Sequence, residues 1–249
     1  MATFPKLERP VVASETFVVP AVLDLVQGRA AVRHVVTEGL LKPSDIEGAD
    51  VEHASLLYLP FWRVDVSVDG FHIGIGSMTG SNGRAIPIPT GGAHHREAAV
   101  MVCARTIVPF ELRLPSFFRI SGPPALEVGV VDIVPESRAR EALAVGEVVD
   151  ADVSREQGER TASSLVLDAV RARNAIYQKY EPQIRSTTFV RYPVYYARYR
   201  YEGEARRHAG EQFFVMISGK TGMVVNAKHP STMRAMATRL RKLLSFDRR

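Results

Sequence analysis

The sequence predicts an α+β fold with two related lobes, each a helix followed by an antiparallel hairpin, and an added C-terminal amphipathic helix. Three observations carry this prediction: two strand segments that align with each other, a helical apolar pattern before each of them, and a basic tail with helical periodicity. We expect the first lobe in residues 1–110, the second in residues 111–228 and the C-terminal helix in residues 229–249. Strands and helices are mixed without regular βαβ alternation, which favours a mainly antiparallel sheet.

The two strand segments align without a gap. Residues 58–70 and 191–203 each carry a proline at the third position and a glycine at the last, at an offset of 133. Along each segment every second side chain is apolar or aromatic, which is typical of a half-buried strand with one solvated face. We therefore expect Trp62 and Tyr195 at equivalent inward positions of two related hairpins.

Turn signals divide the rest of each unit. Asp69-Gly70 predicts a tight hairpin turn, because both residue types tolerate the positive φ that a type I′ turn needs. The glycine- and proline-rich residues 74–97 then predict a long loop, with a partner contact in that loop as the alternative. Residues 218–222, with two glycines, predict a second turn between strands.

Helical patterns precede both strand segments. Residues 21–41 and 154–180 carry apolar side chains at helical spacing. Ser154 followed by Gln157 fits a capping box, in which the serine accepts from the backbone and the glutamine reaches back. A further short helix is expected near residues 136–144.

Composition limits the class of protein. The chain has 249 residues, of which 46% are hydrophobic and 24% charged, as in ordinary globular proteins. Its one cysteine, Cys103, excludes an internal disulfide and a cysteine-rich zinc site. No apolar run has the length of a signal-peptide core or a membrane span. We expect a cytoplasmic, reducing location.

The C-terminal tail holds the whole net charge. Residues 231–249 contain six basic residues and one acidic residue, a net charge of +5, which equals the formal charge of the chain. Apolar residues recur there at helical spacing, so we expect a basic amphipathic helix that binds a protein partner's groove or an anionic membrane surface. A terminal helix packed on the protein's own core is the other interpretation. The residues expected to make such a contact are Met233, Arg234, Met236, Arg239, Leu240, Arg241, Lys242, Leu243, Leu244 and Phe246.

No motif has the spacing that chemistry requires. Residues 218–221 (Ser-Gly-Lys-Thr) lack the first glycine of a phosphate-binding loop, and a strand pattern follows them instead of a helix. His94 and His95 point in opposite directions on a strand, so they form no metal pair. Asp65 and Asp69 share a face that we expect to be solvated. We therefore predict no catalytic, cofactor-binding or metal-binding residue, and no enzyme; a site in the cleft between the lobes is the enzymatic alternative.

The order of elements resembles a large family of uncharacterised bacterial and archaeal proteins, many of which carry an N-terminal zinc ribbon and hydrophobic C-terminal segments. The resemblance spans about residues 15–232 and implies no activity. This chain departs from the family at both ends, because it lacks the ribbon's four cysteines and its tail is basic. The matching motifs are Leu57–Trp62, the helix pattern over 154–180, Tyr192–Tyr196, Val215–Gly222 and His229-Pro230-Ser231.

These observations favour a non-catalytic adaptor or structural assembly component that binds a protein partner through the C-terminal helix, or that self-associates. One alternative is a peripheral membrane protein anchored by the same helix. Another is single-stranded nucleic-acid binding by the tyrosines and arginines of residues 191–201, because aromatic and basic side chains together form base-stacking platforms. The neutral charge of the rest of the chain argues against nucleic acid.

Overall fold

One mixed β-sheet organises the chain. The computed structural model describes residues 15–37, 50–51, 54–79, 83–105, 133–172, 175–200 and 212–228. The helices are α1 (Leu25–Thr37), α2 (Arg140–Val145) and α3 (Arg155–Val170), with a 3-10 turn at Glu136–Arg138 before α2. The strands are β1 (Thr16–Val18), β2 (Asp50–Val51), β3 (Ser55–Thr79), β4 (Ala85–Cys103), β5 (Val134–Pro135), β6 (Glu147–Val148), β7 (Ala175–Arg200), β8 (Gln212–Ser218) and β9 (Val224–Lys228). The α+β class predicted from the sequence is confirmed.

The sheet is built around three long strands in the order β4-β3-β7, which continues through β1 to β5. β3 is antiparallel to both of its long neighbours, and β8 and β9 extend the sheet beyond the C-terminal half of β7 as further antiparallel strands. Two short strands run parallel to long ones, β1 beside β7 and β6 beside β3.

The two aligned segments lie side by side in this sheet, and this corrects the expectation of two lobes. They form parts of β3 and β7, which pair directly, with Leu59 opposite Tyr192. The physical reason is that each segment is a strand whose backbone N–H and C=O groups need hydrogen-bond partners. Each segment supplies these partners to the other. The predicted boundary between residues 110 and 111 and the helix expected over 229–249 lie outside the described residues.

α1 packs on the β7 segment. Asp24 and Gln27 cap its N-terminus. The backbone N–H of Gln27 donates to the Asp24 carboxylate at 2.8 Å, and the backbone N–H of Asp24 donates to the side-chain carbonyl of Gln27 at 3.1 Å. One residue further, Gly28 lies against the ring of Tyr195 so closely that a Cβ there would overlap it. The Tyr195 hydroxyl donates to the carbonyl of Leu23 at 2.8 Å.

α3 packs on the β3 segment through the same set of contacts. Its N-terminus carries the predicted capping box, with Ser154 and Gln157 exchanging hydrogen bonds. One residue further, Gly158 lies against the indole of Trp62, and a Cβ there would come within 2.7 Å of the ring. The indole N–H donates to the carbonyl of Val153 at 2.8 Å. Trp62 is therefore buried in the same way as Tyr195. Each ring packs against a helix and donates a hydrogen bond to the residue that precedes the N-cap of that helix.

Both helices cover one face of the sheet, and the opposite face is also buried at its centre. Leu59, Phe61 and Tyr192 belong to the core cluster of that second face. Tyr196, which we expected on a solvated face, is 2% exposed and lies in the same cluster. The central part of the sheet therefore has apolar side chains on both sides. Further along β3, the face expected to be solvated is half-buried at Arg63 and Asp65, buried at Ser67 and exposed only from Asp69.

Three local predictions are wrong, and long-range strand pairing explains each. Asp69-Gly70 is no turn, because β3 runs straight through it, and residues 74–97 are mostly strand instead of loop. The helix predicted over 154–180 ends at Val170, and the chain enters β7 at Ala175. β3 offers backbone groups along its whole length, and pairing with them outweighs local turn and helix preferences.

The turn at residues 218–222 is confirmed, since β8 ends at Ser218 and β9 follows at Val224. Gly222 has φ 72°, in the left-handed region that glycine adopts without strain. The Ser218 hydroxyl accepts from the backbone N–H of Lys220 and Thr221 inside the turn. Its serine and glycine residues therefore serve the backbone of a β-turn, as the sequence predicted.

Candidate interaction surface

The three long strands extend beyond the buried clusters and form a projection that we call the arm. It comprises residues 70–79 of β3, 85–94 of β4 and 175–179 of β7. The three core clusters contain no residue of these ranges. Yet the arm carries seven of the fourteen exposed large hydrophobic side chains of the described residues. Exposed apolar groups are therefore concentrated here instead of being scattered singly over the surface.

Four of these side chains form a continuous row, which we call the ridge: Phe71, Ile73, Ile75 and Tyr177. The first three alternate along β3 and so point to the same side of the sheet. Tyr177 lies opposite Ile73 on β7, and its ring is 5.5 Å from that of Phe71. Each ridge side chain is between 41% and 53% exposed, so the row offers apolar surface to a partner.

A row of smaller residues lies beside the ridge on β4. Ala93 is opposite Phe71, and Gly91 is opposite Ile73. A Cβ at Gly91 would overlap the carbonyl oxygen of His72 in β3, so this position accepts only glycine without moving the backbone. The arm face therefore has a raised apolar row and a low row next to it.

The opposite face of the arm carries a small polar cluster. The ring nitrogens of His72 and His94 are 2.9 Å apart, and the Tyr180 hydroxyl is 3.4 Å from His72. The described residues contain no group of three or more histidine, cysteine or acidic side chains that could hold a metal. Gly70 lies next to this cluster, and a Cβ there would overlap the ring of Tyr180.

His95 lies on the ridge side, at the base of the arm, as the alternation predicted. Its Nδ1–H donates to the Asp69 carboxylate at 2.7 Å, and its Nε2 is 3.7 Å from Glu97. The hydrogen bond and the charge of Asp69 raise the pKa of His95 above its ordinary value. Charged groups therefore border the apolar ridge on the side of the body.

The two long edges of the arm are poor templates for another strand. β4 is the last strand of the sheet, and within the described residues it pairs only with β3 and contains Pro87 and Pro89. Pro182 lies in β7, three residues after the arm segment 175–179 and towards the body of the protein. Proline has no N–H to give to a ladder, and edge strands use it to resist pairing. The ridge face is therefore the better contact surface.

The tyrosines of the predicted nucleic-acid strand that the structure describes, between residues 191 and 200, are inside the protein. Tyr192, Tyr195, Tyr196 and Tyr199 are at most 2% exposed, so their rings offer no surface on which bases could stack. Arg198 donates to the Tyr196 hydroxyl at 2.8 Å. The mixture of tyrosine and arginine in this strand reflects packing within the sheet.

Cys103 has the environment of an unreactive thiol. It packs against a core cluster, and its burial raises the pKa to about 11. The thiolate is the reactive form, so such a group is a poor nucleophile at neutral pH. Asp65, which we expected on a solvated face, is half-buried and accepts from Arg63 at 3.2 Å and from Ser186.

The ten C-terminal residues predicted to contact a partner, between positions 233 and 246, lie outside the described residues. The ridge was missed because Asp69-Gly70 was interpreted as a hairpin turn and residues 74–97 as a loop. The alternation of Phe71, Ile73 and Ile75 is visible in the sequence, but it falls on the face of β3 opposite to that of Trp62.

The helices of the described part of the chain are all too short or too polar to cross a membrane. No protein-family model, curated protein or solved structure matches the chain. The fold and the arm therefore define a class only: an α+β protein with an apolar sheet face that the described residues leave open at one end. The resemblance proposed from short sequence motifs stays a prediction.

Proposed function

We propose that this chain is a non-catalytic adaptor or assembly component that binds a protein partner. The observation that carries the proposal is the ridge, a continuous apolar row on a sheet face that no core cluster covers. Burying the exposed half of one such side chain contributes about 1 kcal/mol, so a partner that covers all four gains useful affinity. Apolar centres with charged borders are typical of protein interfaces.

The basic C-terminal helix remains a second proposed contact, supported by its sequence pattern and its charge. A peripheral membrane role for the same helix is the alternative, favoured by its six basic residues. Flotation with anionic vesicles distinguishes the two: loss of vesicle binding on deletion of residues 233–249 supports the membrane role. A full-length chain that does not float removes it. We propose a cytoplasmic location, at the membrane surface in that alternative.

We also propose that the aligned segments and their helices are two copies of one module, arranged about an internal pseudo-two-fold axis. Support comes from the pair Leu59 and Tyr192, which are equivalent in the alignment and face each other across the strands. The capping residue, the glycine at the fourth helical position and the bonded aromatic ring recur in both halves. This arrangement replaces the two separate lobes between which the enzymatic alternative was expected to have its site.

Site-specific photo-crosslinking in cells tests the proposed function. A benzophenone amino acid replaces Ile73 on the ridge, or Val26 on α1, which is 76% exposed and serves as the matched control. We expect protein adducts from position 73 and none in comparable yield from position 26. A ridge probe that captures no protein would contradict binding through the arm.

A further inference from the structure

We propose that the partner of the ridge is a second copy of this chain, packed arm against arm about a two-fold axis. This inference rests on the proposed protein-binding function and names its partner. Four features support it: the relief of the arm face, its area, its border charges and its blunted edges.

The relief of the arm face is self-complementary. The ridge stands beside the low row at Ala93 and Gly91, one strand spacing away. When two such faces meet about a two-fold axis, the ridge of one copy lies over the low row of the other. Sheets that pack face to face interdigitate in this way, about 10 Å apart. An isologous contact requires one patch to fit itself, and this patch does.

The area of the arm face suits a reversible dimer. β3 and β4 contribute ten residues each and β7 contributes five; at about 3.4 Å per residue and about 4.8 Å between strands, the face covers roughly 410 Å². Two such faces bury roughly 820 Å² together, which is below the ~1,000 Å² of stable specific interfaces and in the size range of weak, transient contacts. We therefore expect dissociation in the micromolar range and no permanent dimer.

The border charges allow two copies to approach. Lys179 and Glu181 form an ion pair at 2.6 Å on β7, beside the ridge, and Asp69 pairs with His95 at its base. Each side of the ridge thus carries a positive and a negative side chain. When two copies meet, no block of like charges on one copy faces the same block on the other. The prolines near both edges disfavour strand-to-strand addition, so the contact forms between faces.

Sedimentation velocity of the full-length chain, over about 1–100 μM in concentration, tests the inference. The variant Ile73→Glu introduces one buried, unpaired charge per copy at the centre of the contact, and Val26→Glu makes the same change at an exposed apolar site off the arm. We expect wild type and Val26→Glu to dimerise with increasing concentration. We expect Ile73→Glu to stay monomeric, with the affinity of the dimer lowered at least about 10²-fold.

Two outcomes overturn the inference: a wild-type chain that stays monomeric throughout, or an Ile73→Glu chain that dimerises like wild type. Circular dichroism checks that the variant is folded, and Ile75→Glu, on the same row, serves if it is not. If position 73 crosslinks to a different protein and the purified chain is monomeric, self-association is wrong and the protein-binding proposal stands. If position 73 gives no adduct at all, self-association and the protein-binding proposal are both wrong.

Discussion

Replacement of Gly28 by alanine probes the contact between α1 and the sheet. An ideal Cβ at this position would come within 2.6 Å of Cδ1 of Tyr195, and closer still to Cε1 and Cζ. Carbon atoms in contact prefer about 3.5–4.0 Å, so the ring must withdraw by about 1 Å or the helix must move away. Tyr195 is 0% exposed and has no free space into which to move.

Two costs and one gain decide the size of the effect. Overpacking a core costs about 1–3 kcal/mol. Withdrawal of the ring also breaks the hydrogen bond from the Tyr195 hydroxyl to Leu23, and a buried hydroxyl without a partner costs about 1–3 kcal/mol. Alanine in place of glycine favours the helix by about 1 kcal/mol. We therefore expect a net loss of about 3 kcal/mol in the free energy of unfolding.

Gly158→Ala is the companion test in α3. Its Cβ would lie 2.7 Å and 2.8 Å from two ring atoms of Trp62, a slightly looser fit than at Gly28. The indole is also held by its bond to Val153. We expect the same sign and a smaller loss, about 2 kcal/mol.

Urea unfolding at equilibrium measures both variants. Trp62 is the only tryptophan, so its fluorescence reports directly on the α3 contact, and far-ultraviolet circular dichroism reports on the whole fold. Gly92→Ala is the matched control, because a Cβ there meets no atom within 4 Å. If Gly28→Ala and Gly158→Ala are as stable as wild type, the close approach of helices and sheet is wrong.

Three further predictions concern single side chains. Asp69→Asn should lower the pKa of His95 towards its ordinary value, which an NMR titration measures. Because the pKa of His95 is raised in the folded state, its pair with Asp69 stabilises the fold at low pH. That stabilisation is lost as pH rises through the pKa of the folded state. Cys103, with a pKa of about 11, should react with a disulfide reagent at pH 8 roughly 10²-fold more slowly than a free thiol, and denaturant should restore the rate; a fast reaction in the native state would contradict its burial. Thr187→Val should destabilise the fold by about 1 kcal/mol at pH 7, because Thr187 donates to Glu159 at 2.6 Å and lowers its pKa. That loss should shrink as pH falls through the lowered pKa of Glu159 in the folded state, because the carboxyl is then protonated in both states; an equal loss at neutral and at low pH would refute the role of the carboxylate.

Sequence signals were reliable where the structural feature depends only on residues a few positions apart. The capping box at Ser154 and Gln157 needs only its own turn of helix, and it formed as predicted. The turn at residues 218–222 depends on the backbone freedom of glycine and on the Ser218 hydroxyl, both of which act over a few residues. Strand alternation likewise identified Trp62 and Tyr195 as inward residues, because face and side-chain polarity are linked along a strand.

The failures share one cause, which is competition from distant strands. Gly70 follows Asp69 as in a hairpin turn, but it lies opposite Tyr180, where only glycine leaves space for the ring. Residues 175–180 have apolar side chains compatible with a helix, yet they pair with the far end of β3. Neither segment, taken alone, shows that the other will be next to it to form a strand pair.

The sequence by itself determined that Trp62 and Tyr195 face inward and that Ser154 caps α3, since each depends on side-chain chemistry or on neighbours within a few positions. Only the tertiary structure decided that the two aligned segments pair in one sheet, that three strands continue into an arm and that the ridge stays open. The physical reason is that every residue type except proline offers the same backbone hydrogen-bonding groups. Which strands pair is therefore settled by the packing of the whole chain.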